Sequence, residues 1–353
     1  MLGRFLSRLR KPPSPAGVAT TRKLPARIED FRIVHIGGYW RGPNDVVRQM
    51  MLGLRQTGAQ VIEVCTDEHP GMLDSEAQPY DRGTSHPVWI QQDYLARLIG
   101  NFQANVIVCN AGGLGFRPEA AREIRRTSYI VGIALSDPDV FLPATSKVSQ
   151  TCDLFFTNAP ACIADYERLG VAAKPLRFGT FEGFYRPVPT KEEYRCDVLV
   201  FGSGYAHRVA AVRELVRLFD THVYGDLWDQ HGIPSRGLVF GDESLSVLNS
   251  ALLTVVFGRT SGGNFIVKPY LFDYPAAGAT VITEYVPEVE NYFAYGRELV
   301  GFSGTADLVR QVEHLLANPE EAAAIGKAGR ERVLREYTWK QKWPEMLELL
   351  RAV

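Results

Sequence analysis

The chain has 353 residues, 46% hydrophobic and 22% charged, with 32 Gly and 21 Pro for turns, which is long for one core and predicts two domains. Lys plus Arg number 39 against 40 Asp plus Glu, so no net field favours nucleic acid, and no apolar run approaches the ~18 residues that span a bilayer. Five scattered cysteines, at 65, 109, 152, 162 and 196, point to reduced thiols in a cytoplasm rather than a disulfide framework.

The N-terminus, MLGRFLSRLRKPPSP, is basic, with neither a signal-peptide apolar core nor a small-residue cleavage site. Residues 1–28 are expected to form a flexible tail, with weak contact to the inner face of a membrane as the alternative. From about residue 30, strand and helix signals alternate. FRIVHIGG is an apolar run closed by Gly37 and Gly38; NDVVRQMMLGLRQTG has helical spacing and stops at Gly58; AQVIEVCTD follows as a second strand. NVIVCNAGG, SYIVGIALSD and CDLFFTN read as further buried strands, with a charged helix PEAAREIRR opened by Pro118. Alternation of this kind predicts parallel pairing and a doubly wound α/β layer.

LRFGTFEGFYRPVPTKEEYR, at 176–195, has no clear period and reads as the crossing between domains. The pattern then restarts with the strand CDVLVFGSG, the helix HRVAAVRELVRLF and the strand THVYGD. The short helix DESLSVLNSA, the strand LLTVVFG, a helix around 268–277 and the strand ATVITE follow. The C-terminus is helical: TADLVRQVEHLLAN, then PEEAAAIGKAGRERVLREY with Asn318 as N-cap and Pro319 at its first position, then an amphipathic segment from Trp339 to Leu350. The expected organisation is a tail (1–28), a first α/β domain (29–178), a linker (179–194), a second α/β domain (195–336) and a last helical segment (337–353).

In open α/β sheets, ligands sit where strands end and loops enter helices. Two such loops stand out. In FGSGYAHR, Gly202 and Gly204 allow close backbone approach, Ser203 adds a hydroxyl, Tyr205 leads into the helix, and Arg208 stands in its first turn beside amides that favour an anion. As a dinucleotide fingerprint the loop has His207 at the third glycine position, with Asp226 as the ribose acid. In RTSGGNFIVKPYLFDYPAAG, Gly263 and Asn264 precede Lys268, and Asp273 lies five residues on, on a broadly similar helical face. A lysine pairs with phosphate and a carboxylate accepts from ribose hydroxyls, which together describe a nucleotide site.

The motifs SDPDVF (136–141), CDLFFTNAPACIADYERLGV (152–171), DVLVFGSGYAHR (197–208), VKPYLFDYPAAGATVITEYVPEVENYFAYGRELVGF (267–302) and RERVLREYTWKQKW (330–343) resemble GT-B glycosyltransferases of the group-1 type, most closely the CgeB-like branch. The resemblance implies two Rossmann-like domains facing a cleft, 29–178 for the acceptor and 195–336 for the nucleotide sugar, with the helix at 337–353 returning to the first domain. It also implies a nucleoside-diphosphate sugar, of UDP or GDP type, as donor without a required cofactor. It places Asp273 on the ribose, five residues before the turn Gly278, and Lys268 and Arg208 on the phosphates. The broader group often carries a second Glu where this chain has Phe265, so Asn264 or amides near Gly263 are the expected substitutes. Ser136-Asp137-Pro138 stands where the branch often has Asp-Asp-Pro.

Asp137 is the candidate base for an acceptor hydroxyl, with His35 and Glu284 as further candidates for catalysis. Gly38, Tyr39, Trp40 and Arg41 are the candidate acceptor loop. Neither Asp137-Pro138-Asp139 nor Asp226, Asp229 and His231 in GDLWDQH is assigned a metal. Trp339 and Trp343 share one helical face and are expected to pack. The expectation is a metal-independent, retaining glycosyltransferase whose acceptor is a glycan, protein or small molecule. The alternatives are a non-catalytic GT-B nucleotide-sugar-binding module and, third, an NAD-dependent Rossmann enzyme.

Overall fold

The computed structural model describes residues 22–38, 45–74, 86–110 and 113–353; Tyr39, Trp40 and Arg41 lie outside them, as does most of the basic tail. Those residues form two compact units. One contains 22–38, Met50–Arg177 and Lys342–Val353, the other 45–49 and Phe178–Gln341.

In chain order the first half runs β1 (Arg32–Gly37), α1 (Val46–Arg55), β2 (Gln60–Cys65), β3 (Val88–Ile90), α2 (Gln92–Ile99), β4 (Val106–Asn110), β5 (Leu114–Phe116), α3 (Pro118–Ile124), β6 (Tyr129–Ala134), β7 (Leu154–Thr157), α4 (Ile163–Arg168) and β8 (Ala173–Pro175). Its main sheet is parallel throughout, in the order β2-β1-β4-β6-β7-β8, with Ile33 opposite Val106 and Val131 opposite Leu154. All five residues of β4 are buried, which is why such strands read as continuous apolar runs rather than alternating ones. Parallel β3 and β5 form a separate pair. These two strands and β8 span three residues each, too few for a period to register in the sequence.

The Arg22 guanidinium donates to Asp153 at 2.7 Å and lies 4.2 Å over the Tyr129 ring. The chain is therefore anchored from Arg22 on, inside the stretch expected to be a flexible tail.

The second half runs β9 (Cys196–Phe201), α5 (Ala206–Leu218), β10 (Thr221–Tyr224), α6 (Gly241–Ser250), β11 (Ala251–Val256), α7 (Tyr270–Ala276), β12 (Val281–Glu284), β13 (Val300–Phe302), α8 (Thr305–Ala317), α9 (Pro319–Glu336) and α10 (Trp339–Glu348). Its sheet, ordered β10-β9-β11-β12-β13, is also parallel throughout. The stretch before β9 holds only a short 3-10 turn, Glu192–Tyr194. Asn318 stands at the N-cap position of α9 without making a side-chain cap bond; its Nδ2 donates instead to His314 O, at 2.8 Å, closing the end of α8.

Small residues let α9 lie against the α7 turn. A Cβ on Gly329 would meet Glu298 O at 2.3 Å, and one on Gly326 would meet Thr280 Oγ1 at 2.8 Å. Arg330 Nε then donates to Ala276 O at 3.1 Å, capping α7 from the side. Trp339 and Trp343 are both buried, and Trp343 Nε1 donates to Met50 O at 2.6 Å.

Candidate functional site

The carboxyl ends of β9 and β11 lie side by side in the second unit, because the two strands pair directly. From β9 the chain turns through Gly202, whose φ of +118° favours glycine, into α5. The loop amides are engaged from within: Gly202 N donates to Tyr224 O at 2.9 Å and Gly204 N to Asp226 O at 2.8 Å. Trp228 Nε1 also donates to Gly202 O, at 2.7 Å. A Cβ on Gly204 would lie 2.8 Å from the Trp228 indole. The close approach that Gly204 permits is thus to Trp228, and that at Gly202 is to the Arg208 guanidinium, 3.1 Å from an added Cβ; the two amides are taken up within the fold. Nothing local in FGSGYAHR announces this, because the partners lie some 22 residues further on. Helix α5, 13 residues long, follows the N-cap residue Tyr205, which makes no side-chain cap bond. Arg208 N donates to Tyr205 O at 2.9 Å, so the amides of Ala206 and His207 are those left at the helix start.

Arg208, in that first turn, is only 5% exposed. Its guanidinium donates to Ser203 O and to Arg259 O, both at 2.9 Å, and lies over the rings of Tyr205 (4.7 Å) and Phe257 (5.4 Å). It bolts the loop after β9 to the loop after β11. His207 is exposed; partial burial lowers its pKa most, followed by the charges of Arg208, Arg259 and Lys268. The charges of these three cations are thus felt by His207 at the start of α5.

The loop after β11 is a small hairpin, with Arg259 bridged antiparallel to Phe265 and Ile266 N donating to Gly258 O at 3.0 Å. Gly263, at φ +83° with open space around its Cα, turns the tip, where Asn264 is exposed. Arg259 lies 4.3 Å over the Phe265 ring, and its Nε donates to Glu284 Oε1 at 2.9 Å. Glu284, at the end of β12, is thus the partner of Arg259. Arg259 is absent from the residues that the sequence singles out, although it follows the apolar strand LLTVVFG and so stands at a carboxyl end.

Lys268 is half-buried ahead of α7. Asp273, inside α7, is 5% exposed; its Oδ1 accepts from Thr180 Oγ1 at 2.7 Å, and burial raises its pKa to about 8. At neutral pH this carboxyl is largely protonated. No local signal in the sequence ties it to Thr180.

The candidates in the first unit take structural roles. Asp137 is fully buried, and its carboxylate accepts from Thr145 (2.8 Å), Thr157 (2.7 Å) and Tyr166 (2.7 Å). A base needs a lone pair within reach of its substrate, and here three hydroxyls occupy that carboxylate. His35 is buried, 3.1 Å from Asn110 and edge-on to Trp343. Burial lowers its pKa to about 3, so it stays neutral as a core residue. Gly38 is crowded: a Cβ added there would lie 3.1 Å from Thr66 Oγ1. Among the described residues no three His, Cys, Asp or Glu side chains group as metal ligands, and no helix is long and apolar enough to cross a membrane.

Residues 206–348 match the family model of glycosyl transferase-like domains. A search of curated proteins finds no match. Among solved structures, sucrose-phosphate synthase (tll1590) from Thermosynechococcus elongatus superposes with a TM-score of 0.60 at 15% identity, over 91% of this chain and 98% of that one. Anabaena Alr3699/HepE in complex with UDP-glucose gives 0.60 at 9% identity, over 91% and 99%. AviGT4, a glycosyltransferase involved in avilamycin A biosynthesis, gives 0.56 at 13% identity, over 91% and 97%. The chain has the GT-B fold, and its residues 206–348 are similar to glycosyl transferase-like domains.

Proposed function

We propose that the protein is a glycosyltransferase that moves a sugar from a nucleoside-diphosphate sugar to an acceptor hydroxyl, with retention at the anomeric carbon and without a metal ion. The observation that carries this reading is the charge of Arg208, Arg259 and Lys268 felt by His207 at the uncapped start of α5. A helix start with clustered cations suits a diphosphate, and stabilises it as it leaves with growing negative charge. The UDP-glucose complex of the HepE structure supports a UDP-type donor, with GDP as the other arm of the test. The motifs at 136–141, 152–171 and 197–208 favour the CgeB-like branch.

In this reading Lys268 and the α5 amides face phosphate, Arg208 holds their loops, and Asn264 and Gly263 stand at the sugar side of the hairpin. A ribose contact by Asp273 requires its bond to Thr180 to open. The acceptor is a glycan, protein or small molecule, and the sequence motif Gly38, Tyr39, Trp40 and Arg41 is the proposed segment that binds it. The setting is cytoplasmic, at the inner membrane face if the basic tail binds there.

Phe265 favours a second reading, since an exposed phenyl stands where related enzymes often have a Glu: a GT-B module that binds nucleotide sugar without transfer. The NAD reading is opposed by the engagement of the Gly202 and Gly204 amides within the loop.

Thermal shift with UDP-, GDP-, ADP- and dTDP-sugars, with NAD as control, tests the donor site. Millimolar donor on a ten-micromolar site stabilises by about 2.7 kcal/mol. Donor hydrolysis, followed by nucleotide release, then separates enzyme from binder. No shift with any nucleotide sugar sinks the donor site. A shift without any hydrolysis or transfer moves the protein to the binding module.

A further inference from the structure

The sequence singles out Arg208 as the guanidinium for the donor phosphates, but the structure assigns its hydrogen-bonding faces elsewhere. Both of its Nη groups donate to carbonyls, those of Ser203 and Arg259, and its Nε is buried without an acceptor. Two rings flank it, and it is 5% exposed. A phosphate reaching that group would have to break the ties between the two loops.

Arg259 has the opposite arrangement. Its side chain is 37% exposed, and among the described residues its only side-chain hydrogen bond runs from Nε to Glu284 Oε1, at 2.9 Å. The Nη groups have no acceptor there. Phe265 supports the guanidinium plane from one side at 4.3 Å, and Glu284, 15% exposed, fixes it in the plane through Nε. A planar fork held by its Nε and one face presents two parallel Nη donors, the geometry that grips two oxygens of a phosphate. Its own carbonyl is the one that Arg208 holds, so the backbone beneath this fork is pinned as well.

We infer that Arg259, and not Arg208, is the guanidinium that contacts the donor diphosphate, with Glu284 as its positioning residue; this rests on the donor-site reading above. Arg208 acts one step back, by keeping the loops after β9 and β11 together. The same fork explains why an aromatic residue at 265 is compatible with a donor site: its ring is the platform for Arg259.

The test is titration calorimetry on the full chain with UDP and with GDP, using Arg259→Gln, Arg259→Lys and the double variant Arg259→Gln with Glu284→Gln. The double variant leaves no unpaired buried carboxylate, which guards against simple misfolding, and melting temperatures verify the fold. Removing a charge-assisted contact weakens binding by roughly 10- to 100-fold. The expected result is that loss in Arg259→Gln and in the double variant, with Arg259→Lys in between. Glu284→Gln alone, which leaves the fork in place but loosens it, weakens diphosphate binding less than Arg259→Gln does.

Wild-type binding that persists undiminished in both Arg259→Gln variants overturns the inference and leaves the donor site standing. Loss confined to a folded Arg208→Ala also overturns it. A wild-type chain that binds neither diphosphate overturns the donor-site reading itself, and this inference with it.

Discussion

Thr180 Oγ1 donates to Asp273 Oδ1 at 2.7 Å across 93 residues of sequence, joining the start of the second unit to α7. Both residues are buried, Thr180 fully. A single neutral hydroxyl does not replace the hydration of a carboxylate, so burial favours the protonated acid and raises its pKa to about 8.

That shift predicts a pH-dependent stability. The folded protein retains a proton that the unfolded chain releases above about pH 4. The stability contributed by the neutral carboxyl is therefore complete below that pH and is lost as pH rises through about 8, with a limiting slope of about 1.4 kcal/mol per pH unit. Asp273→Asn keeps the shape and removes the titration. Urea denaturation of both proteins from pH 5 to 8 should show wild type losing stability relative to the variant as pH rises. Parallel stability curves would mean that the carboxyl is already ionised at pH 5.

Arg208→Ala removes the donor of the Arg259 carbonyl and leaves the Ser203 carbonyl with Tyr205 N alone, in a part-buried setting, and it empties the space of a buried side chain between two rings. The expected cost is about 2–4 kcal/mol by urea denaturation. Arg208→Lys restores only part of it, because a single ammonium does not reproduce a planar fork between two loops. A fully stable Arg208→Ala chain would show that the bolt is unnecessary.

Two glycines near the site separate crowding from backbone strain. At Gly225, φ is +148° and an added Cβ would lie 2.0 Å from Gly202 O, backbone that cannot move without opening the turn. At Gly232, φ is +67° and the space is open. Gly232→Ala should cost about 1–2 kcal/mol from conformation alone. Gly225→Ala should cost more and weaken nucleotide binding as well. Equal melting temperatures for the two variants would contradict this geometry.

Trp343→Phe keeps most of the buried ring area but removes the Nε1 donor to Met50 O at 2.6 Å. Met50 O keeps its helical bond within α1, so the loss of this second donor costs about 0.5–1.5 kcal/mol, readable as a fall in the denaturation midpoint. Nucleotide affinity should stay at the wild-type value, because Trp343 and Met50 belong to the unit that lacks the candidate donor site. A large fall in nucleotide affinity would instead tie this tryptophan to the site.

The architecture is written locally and can be read there. Buried parallel strands such as Val106–Asn110 and Cys196–Phe201 are covered on both faces, so they appear in the chain as apolar runs. Proline at the first position of α3 and α9 and glycine at Gly58 mark helix edges through backbone constraints that need no distant partner. The closeness of Lys268 and Asp273 is also visible, because a few residues hold both.

What the side chains do is decided by tertiary contacts. Asp273 meets Thr180, Arg208 meets the carbonyl of Arg259, Gly204 meets Trp228, and Asp137 meets three hydroxyls, the last of them on Tyr166. Their sequence separations of 93, 51, 24 and up to 29 residues exceed any helical or strand period. Such a period encodes which face a side chain takes, whereas its ionisation and free donors depend on which residues the fold brings to that face. Sequence alone thus determined a two-domain α/β chain and where its strands end. Only the fold decided that Asp273 is buried and neutral, that Arg208 is a bolt, and that Arg259 carries the exposed fork.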